Sequence, residues 1–472
     1  MTRRRPSWRV DAAASLALWI ASAALLLRAA RSLGLCEGEA AAVERWLAAP
    51  GPKLPLADRL TAARLPVVAT SALLPVAAYW LLRGAFAWPI AASGALLSVL
   101  APRATIDLVS LVGDGPVAAW LAVAVALHVR SEARGASPWL GALAAVALGA
   151  AASCSLAALW ALPVLVLDHL VRAWPAPRDA LARGWASIPS SVALAPLVGL
   201  AVLVAADRAL SAHPFDRARE LLVAAGSPEI ARGTWLGERP LPDTIPRGHV
   251  AATLLLALPS ATSVLAIVGA LSLARRGPRH PVLVTSVIAA AVFVGYPLAV
   301  PPALGRFPGR AALALPFVAV AATFGAAMVG RAAARRLGAT WPPLALAVSL
   351  ALAPVFGAPA SLSACFPALA GGAAAARRGE RVPFVDGTEI GAMLPAIDAL
   401  GLPDATAYAP SVSSADWDAY RRLGRLRTRV HAVGSLPLAR LSIDDGRLTR
   451  GRAVATLRRD GEIVAALRVH DR

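Results

Sequence analysis

The sequence predicts an all-α polytopic membrane protein of about eleven transmembrane helices, with a small α/β soluble domain at its C-terminus. Three observations carry this. Of 472 residues, 57% are hydrophobic and 16% charged, with mean hydropathy +0.62; soluble domains run to about 45–50% and about 25%. The apolar residues gather into long charge-free runs suited to bilayer-spanning helices. From residue 377 onward these runs give way to short, strand-like and helix-like segments. The expected division is therefore 1–376, transmembrane, and 377–472, soluble. Disorder is excluded by the same hydrophobicity.

The spans can be taken in order. Charge-free runs occupy 12–27, 65–82, 84–102, 115–129, 185–206, 248–274, 281–305 and 311–330. The long run 135–167 is read as two short helices parted around Ser153, Cys154 and Ser155, and 337–376 as holding one span near 341–357. The opening MTRRRPSWRVDAAASLALWIASAALLL has the basic start of a signal peptide. No small-residue cleavage site ends the run, so it reads as an uncleaved first helix.

Arginines in the short loops set the orientation. With the N-terminus inside, the inner segments hold Arg3, Arg4, Arg5, Arg9, Arg83, Arg130, Arg134, Arg172, Arg178, Arg183, Arg275, Arg276, Arg279, Arg331, Arg335 and Arg336. The short outer loops hold Arg103, Arg306 and Arg310. The N-terminus is thus expected in the cytoplasm, and eleven spans place the C-terminal domain outside. Two long outer loops follow, 28–64 and 207–247. In the first, EAAAVERWLAA sets Val43, Trp46 and Leu47 on one helical face, as in a short helix lying in the membrane interface. The second contains HPFDRARELLVAA, another amphipathic stretch. In the tail, VPFVDG, ATAYAP and EIVAALRVH read as strands, and IGAMLPAIDALG and SADWDAYRRLG as helices.

The net charge of +19 is nearly all arginine, with Lys53 the one lysine. In a membrane protein such an excess meets anionic headgroups, and without interleaved aromatics it does not indicate nucleic-acid binding. Cys36, Cys154 and Cys365 are too scattered for a disulfide framework or zinc site. No transporter-type internal repeat is visible. Only His128 and His169 lie near span interiors or ends, against a transporter or flippase.

Acids at a membrane mouth are costly and so draw attention. Glu37 and Glu39, in LCEGEA, follow the first span; Asp114, in SLVGDGPVAAW, opens the fourth, with Asp107 earlier in the same connection. Converging over one cavity, one carboxylate could take a proton from an acceptor while another oriented it or held a divalent cation through Glu39 and Asp114. The competing reading is capping: the glutamates begin the amphipathic helix, and Asp114 caps the fourth span ahead of Gly115 and Pro116. Arg306 and Arg310, in ALGRFPGRAALALP, suit a lipid-linked phosphate or simple headgroup contact. Lys53 and Arg59 could extend that basic collar.

The order of these features resembles the GT-C membrane glycosyltransferases, in particular the protein-mannosyltransferase-like group that includes the lipid A aminoarabinose transferases. LCEGEAAAVERWLAAP is similar to the acidic start of that family, and GPKLPL to its lysine-proline-proline-leucine element. AARLPVVATSALLPVAAYWLL resembles the arginine-leucine-proline entry to the second span. VGDGPVAAWLAVAVALHVR resembles the aspartate-proline segment, WLGALAAVALGAAASCSLAALWALPVLVL the glycine-rich hairpin, and GRFPGRAALALPFVAV the late arginine-aromatic segment. The match covers about residues 10–330. This chain departs from the pattern in having Gly38 between its two glutamates, and Ser153-Cys154-Ser155 where threonine-lysine-glycine is common.

The resemblance implies an inverting transfer from a polyprenyl-phosphate sugar to a glycan, lipid or protein acceptor, at the outer face of the bacterial cytoplasmic (inner) membrane. It implies Glu39 or Glu37 as general base, Asp114 as second acid, and Lys53, Arg306 and Arg310 at the donor phosphate. No cofactor is certain beyond a possible divalent ion. The alternative in another class is a non-catalytic scaffold of an envelope-polysaccharide pathway, whose working part would be the tail.

Overall fold

The computed structural model describes residues 8–32, 35, 39–48, 58–100, 105–111, 113–133, 137–173, 189–206, 258–276, 280–299, 311–338, 387–409, 412–444, 450–459 and 462–470, with a few between 210 and 219 and between 345 and 349. The helical part runs α1 (Trp8–Ser32), α2 (Glu39–Ala48), α3 (Arg59–Ser71), α4 (Leu73–Leu82), α5 (Trp88–Leu96), α6 (Thr105–Val109), α7 (Gly115–Ala133), α8 (Pro138–Cys154), α9 (Ala161–Ala173), α10 (Ser190–Ala206), α11 (Ser260–Arg276), α12 (Pro281–Ala299) and α13 (Ala311–Leu337). Among the described residues, three helical stretches are long and apolar enough to cross a membrane: Trp8–Arg31, Arg59–Leu82 and Ala312–Leu337. Shorter apolar helices fill the array around them. The spans expected near 341–357 and the amphipathic stretch after His213 lie largely outside the described residues.

Two polar clusters define the ends of the array. At one, Asp11 of α1 accepts from Tyr79 Oη (2.6 Å) and Arg83 Nε (2.6 Å), so α1 starts where α4 finishes. At the other, Arg64 near the start of α3 donates to Ala30 O near the end of α1 (2.9 Å). The chain must therefore traverse the array between Arg83 and the start of α7. The sequence expects one helix there, 84–102. The structure instead has the nine-residue α5, turns through 97–100, and the five-residue α6. Nine residues rise only about 14 Å, half a hydrocarbon core. The turns are tolerated because Leu97, Ser98 and Val99 are buried in protein, and Ser98 Oγ donates to Ala95 O (2.7 Å).

The run 135–167 divides as expected. Helix α8 ends at Cys154, Ser155 is extended, and a 3-10 turn over Leu156–Trp160 leads into α9. Close packing elsewhere depends on glycine, since without a hydrophobic drive between apolar helices it is backbone approach that joins them. Gly269 of α11 and Gly325 of α13 face one another: a β-carbon on Gly269 would overlap Ala321 O, and one on Gly325 would overlap Leu265 O. In α8, a β-carbon on Gly149 would lie 2.6 Å from Gly199 O in α10.

The C-terminal part has α14 (Gly387–Ala399), β1 (Asp404–Tyr408), α15 (Ser414–Arg422), β2 (Arg429–Ala432), β3 (Leu441–Asp444), β4 (Arg452–Arg459) and β5 (Glu462–Val469). They form one five-stranded sheet, order β2-β1-β3-β5-β4, parallel at β2-β1-β3 and antiparallel beyond. Ser413 and Asp416 make a reciprocal capping box at the start of α15. The expected strands at ATAYAP and EIVAALRVH are β1 and β5, and the expected helices are α14 and α15; VPFVDG lies outside the described residues but for Gly387, which opens α14.

The core beneath this sheet is shared. Leu35, Ala40, Val43 and Leu60, from the loop between the first two spans, are buried with Ile390, Met393, Ile397, Trp417, Tyr420, Leu441 and Leu467. This adds to the expectation for α2. Part of its apolar stripe, Val43 and Leu47, packs into the core of the C-terminal domain, a partner the sequence reading does not name. The stripe is short, and a protein surface that interdigitates with Val43 excludes water as effectively as acyl chains do. The domain therefore sits at the same end of the array as the 35–60 loop.

Candidate functional site

Glu39 is the first residue of α2, where a carboxylate is favoured by the helix dipole. It is completely buried. Arg64 grips it with two prongs, Nε to Oε1 (2.8 Å) and Nη2 to Oε2 (2.5 Å). The Leu111 amide donates to Oε1 as well (2.9 Å). Three donors, two of them charged, thus occupy both oxygens. The guanidinium fork is the geometry that makes an arginine–carboxylate pair both strong and directional. The clasp joins four pieces of chain: the end of α1 through Ala30, the start of α2, α3, and the turn before α7.

That turn leads to Asp114. Its carbonyl accepts from the Ala118 amide (2.8 Å), so Asp114 stands at the N-cap position of α7, half-buried. Gly115 follows because the helix start lies hard against its neighbours: a β-carbon there would sit 2.8 Å from Leu108 Cα and would overlap Ser71 Oγ. Of the acids singled out in the sequence, the structure thus brings Glu39 and the Asp114 loop to one mouth of the array, with Leu111 three residues from Asp114. Asp107 falls in α6. Glu37, Lys53, Arg306 and Arg310 lie outside the described residues.

As a holder of a divalent cation Glu39 does not fit. Its oxygens already accept from Arg64 and a backbone amide, and a guanidinium in that position repels a metal ion.

Sequence reasoning missed two groups. In the sequence Arg64 stands only as the entry to a span; its signal is its place beside a hydrophobic run, where an unpaired arginine is not tolerated. The second is a buried cluster towards the opposite end of the array. His128 of α7 meets Ser191 Oγ of α10 through Nδ1 (2.6 Å) and Asp168 Oδ2 of α9 through Nε2 (3.1 Å). Thr285 Oγ1 of α12 donates to Asp168 Oδ1 (2.6 Å). All four side chains are fully buried. The set is satisfied when the imidazole donates from Nε2 to the carboxylate and accepts the Ser191 hydroxyl at Nδ1. Although serine, histidine and aspartate meet here, no substrate can reach the Ser191 oxygen, and the cluster ties four helices together.

No protein-family model matches the sequence, and neither does any curated protein. Among solved structures, the chain is similar to ArnT from Cupriavidus metallidurans in the apo state, with TM-score 0.51 and 12% identity, covering 97% of this chain and 98% of that one. It is also matched, at TM-score 0.39 and 14% identity, with the apo oligosaccharyltransferase of Archaeoglobus fulgidus, covering 81% of this chain and 54% of that one. In fold, then, the chain is similar to ArnT over nearly its whole length.

Proposed function

We propose that this protein is a membrane glycosyltransferase of GT-C type, which moves a sugar from a polyprenyl-phosphate donor to an envelope acceptor at the extracytoplasmic face. The observation that supports it most directly is the Glu39–Arg64–Leu111 clasp, which draws the acid-bearing first loop onto the loop ending in Asp114. The ArnT-like fold over the whole chain is consistent with that reading. The arginine distribution supports a position of this mouth outside the cytoplasm, in a bacterial inner membrane.

In the reaction, an acceptor hydroxyl or amine gives its proton to a carboxylate as its lone pair attacks the anomeric carbon. The bond from that carbon to the phosphate oxygen breaks on the opposite face, so configuration inverts and the electron pair leaves on the phosphate. Arg306, Arg310 and Lys53 would stabilise the departing charge. Glu39 or Glu37 serves as that carboxylate, with Asp114 as the second acid, and the Arg64 clasp holds Glu39 and its loop in place.

The test is sugar transfer by the protein reconstituted in liposomes with a labelled polyprenyl-phosphate sugar. With Asp114 as the second acid, Asp114→Asn loses transfer by about a hundredfold or more at unchanged melting temperature. Glu39→Gln loses both transfer and thermal stability, because the charge-assisted fork between Arg64 and Glu39 is weakened. Wild-type transfer in Glu37→Gln, Glu39→Gln and Asp114→Asn alike would sink the catalytic assignment. A wild-type protein that transfers nothing would favour the scaffold reading.

A further inference from the structure

We propose that Tyr420 and Arg425 of the C-terminal domain are positioning residues for the acid-bearing mouth, so that this domain is a working part of the site. The inference rests on the function proposed above for its catalytic consequence, and on geometry alone for its structural one.

The segments that hold Glu39 are each tied to the C-terminal domain. Upstream, the Leu35 amide donates to Tyr420 Oη at 2.7 Å inside the protein, and the Leu35 side chain is buried in the shared core. That fixes the chain four residues before Glu39. Through α2, Ala40 and Val43 enter the same core. Downstream, Asp58 is shared. Its carboxylate caps α3, accepting from the Leu60 amide (3.2 Å) and the Thr61 hydroxyl. It also accepts Arg425 Nε (3.0 Å) and Nη2. Leu60, buried among the domain's side chains, lies one helical turn before Arg64 on the same face of α3. The result is a closed circuit: Arg425 holds Asp58, Asp58 sets the start of α3, α3 presents Arg64, Arg64 grips Glu39, and α2 returns to the core around Tyr420. Each link is short-range, and the group being placed is the carboxylate that meets the Asp114 loop.

Position at this scale matters to catalysis, since the clasp carries the acid-bearing loops and a misplacement of about 1 Å at a catalytic group costs up to about a hundredfold in rate. By contrast, the Arg422–Glu44 pair on the rim of the same interface is exposed on both sides and adds little in water. It serves as the internal control.

The experiment is amide hydrogen exchange on the full-length protein in detergent or nanodiscs, with Tyr420→Phe, Arg425→Ala, Arg425→Lys and Arg422→Ala compared with wild type. Expected is about a tenfold or greater rise in exchange through α2 and the first turn of α3 in Tyr420→Phe and Arg425→Ala, partial restoration in Arg425→Lys, and no change in Arg422→Ala. Protection of α7 and of β1, β3 and β5 stays as in wild type. Unchanged protection of α2 and α3 in both variants overturns the proposal. Should a variant lose protection in the sheet itself, Asp58→Asn decides, since it keeps a capping oxygen and leaves the domain intact: faster exchange in α2 and α3 supports the circuit, and wild-type exchange overturns it. In the transfer assay, Arg425→Ala is expected to lower kcat about tenfold with the KM for the donor within about twofold. A wild-type protein without transfer activity would remove the function proposed above and leave the exchange result to stand or fall by itself.

Discussion

Arg64 and Glu39 show how a single buried pair can organise the mouth of a membrane protein. Neither ion would be stable alone in that setting, and removing one partner of such a pair costs about 3–5 kcal/mol. Asp58 does related work nearer water. Its half-buried position raises its carboxyl pKa, but the hydrogen bonds and charge of Arg425, with the Thr61 hydroxyl, outweigh that and hold it below its ordinary value of 3.8. A folded-state value below the unfolded one means that this stabilisation is present above about pH 4 and is lost as the pH falls through the folded value. The melting temperature of the wild type is accordingly expected to exceed that of Asp58→Asn at pH 6, with the gap closing below about pH 4; a gap constant from pH 6 to 3 would show that Asp58 contributes no charge-dependent stability. At this scale the sequence marked Glu37, Glu39 and Asp114 as candidate acids near helix ends. It did not show that Glu39 is already occupied, because its partner lies 25 residues away on another helix.

Among the elements, long apolar helices were readable because their length and lack of charge are local properties. The break after Cys154 was also legible, from a cluster of small polar residues in a run too long for one helix and too short for two full spans. The crossing between Arg83 and Asp114 was not, because apolar composition says a segment is buried without saying whether it is continuous helix. Strands β2, β3 and β4 escaped notice for separate reasons. Four-residue β2 is too short for a pattern, and β3 has Leu441, Ser442 and Ile443 all buried and so no alternation. Edge strand β4, RAVATLRR, is largely exposed and carries arginines at both ends. The α11–α13 contact gives a direct check on helix packing. Gly269→Val would force its side chain into the Ala321 carbonyl, and is expected to reduce folded yield and melting temperature, whereas Ile267→Val on the exposed face of α11 changes neither. Equal stability of the two would argue against that close approach.

For the whole molecule, the C-terminal domain and the 35–60 loop must lie on one side of the membrane because they share a core. If the arginine rule sets the orientation, an impermeant maleimide will label a cysteine at Asp418 in permeabilised-envelope cells, on a background with Cys36, Cys154 and Cys365 replaced. A cysteine at Arg335, at the far end of α13, will react only after the inner membrane is opened. The opposite labelling pattern would invert the protein and put the candidate site in the cytoplasm. The sequence by itself determined that the chain is mostly helical, with several apolar helices and an α/β tail, and where most of those helices lie; composition and periodicity are read residue by residue along the chain. Only the tertiary structure decided that α2 is covered by the tail, that Glu39 is clasped by Arg64, and that His128, Asp168, Ser191 and Thr285 form one buried cluster. Each of these depends on contacts between residues far apart in the chain, and hydrophobic periodicity shows that a face is buried without naming what buries it.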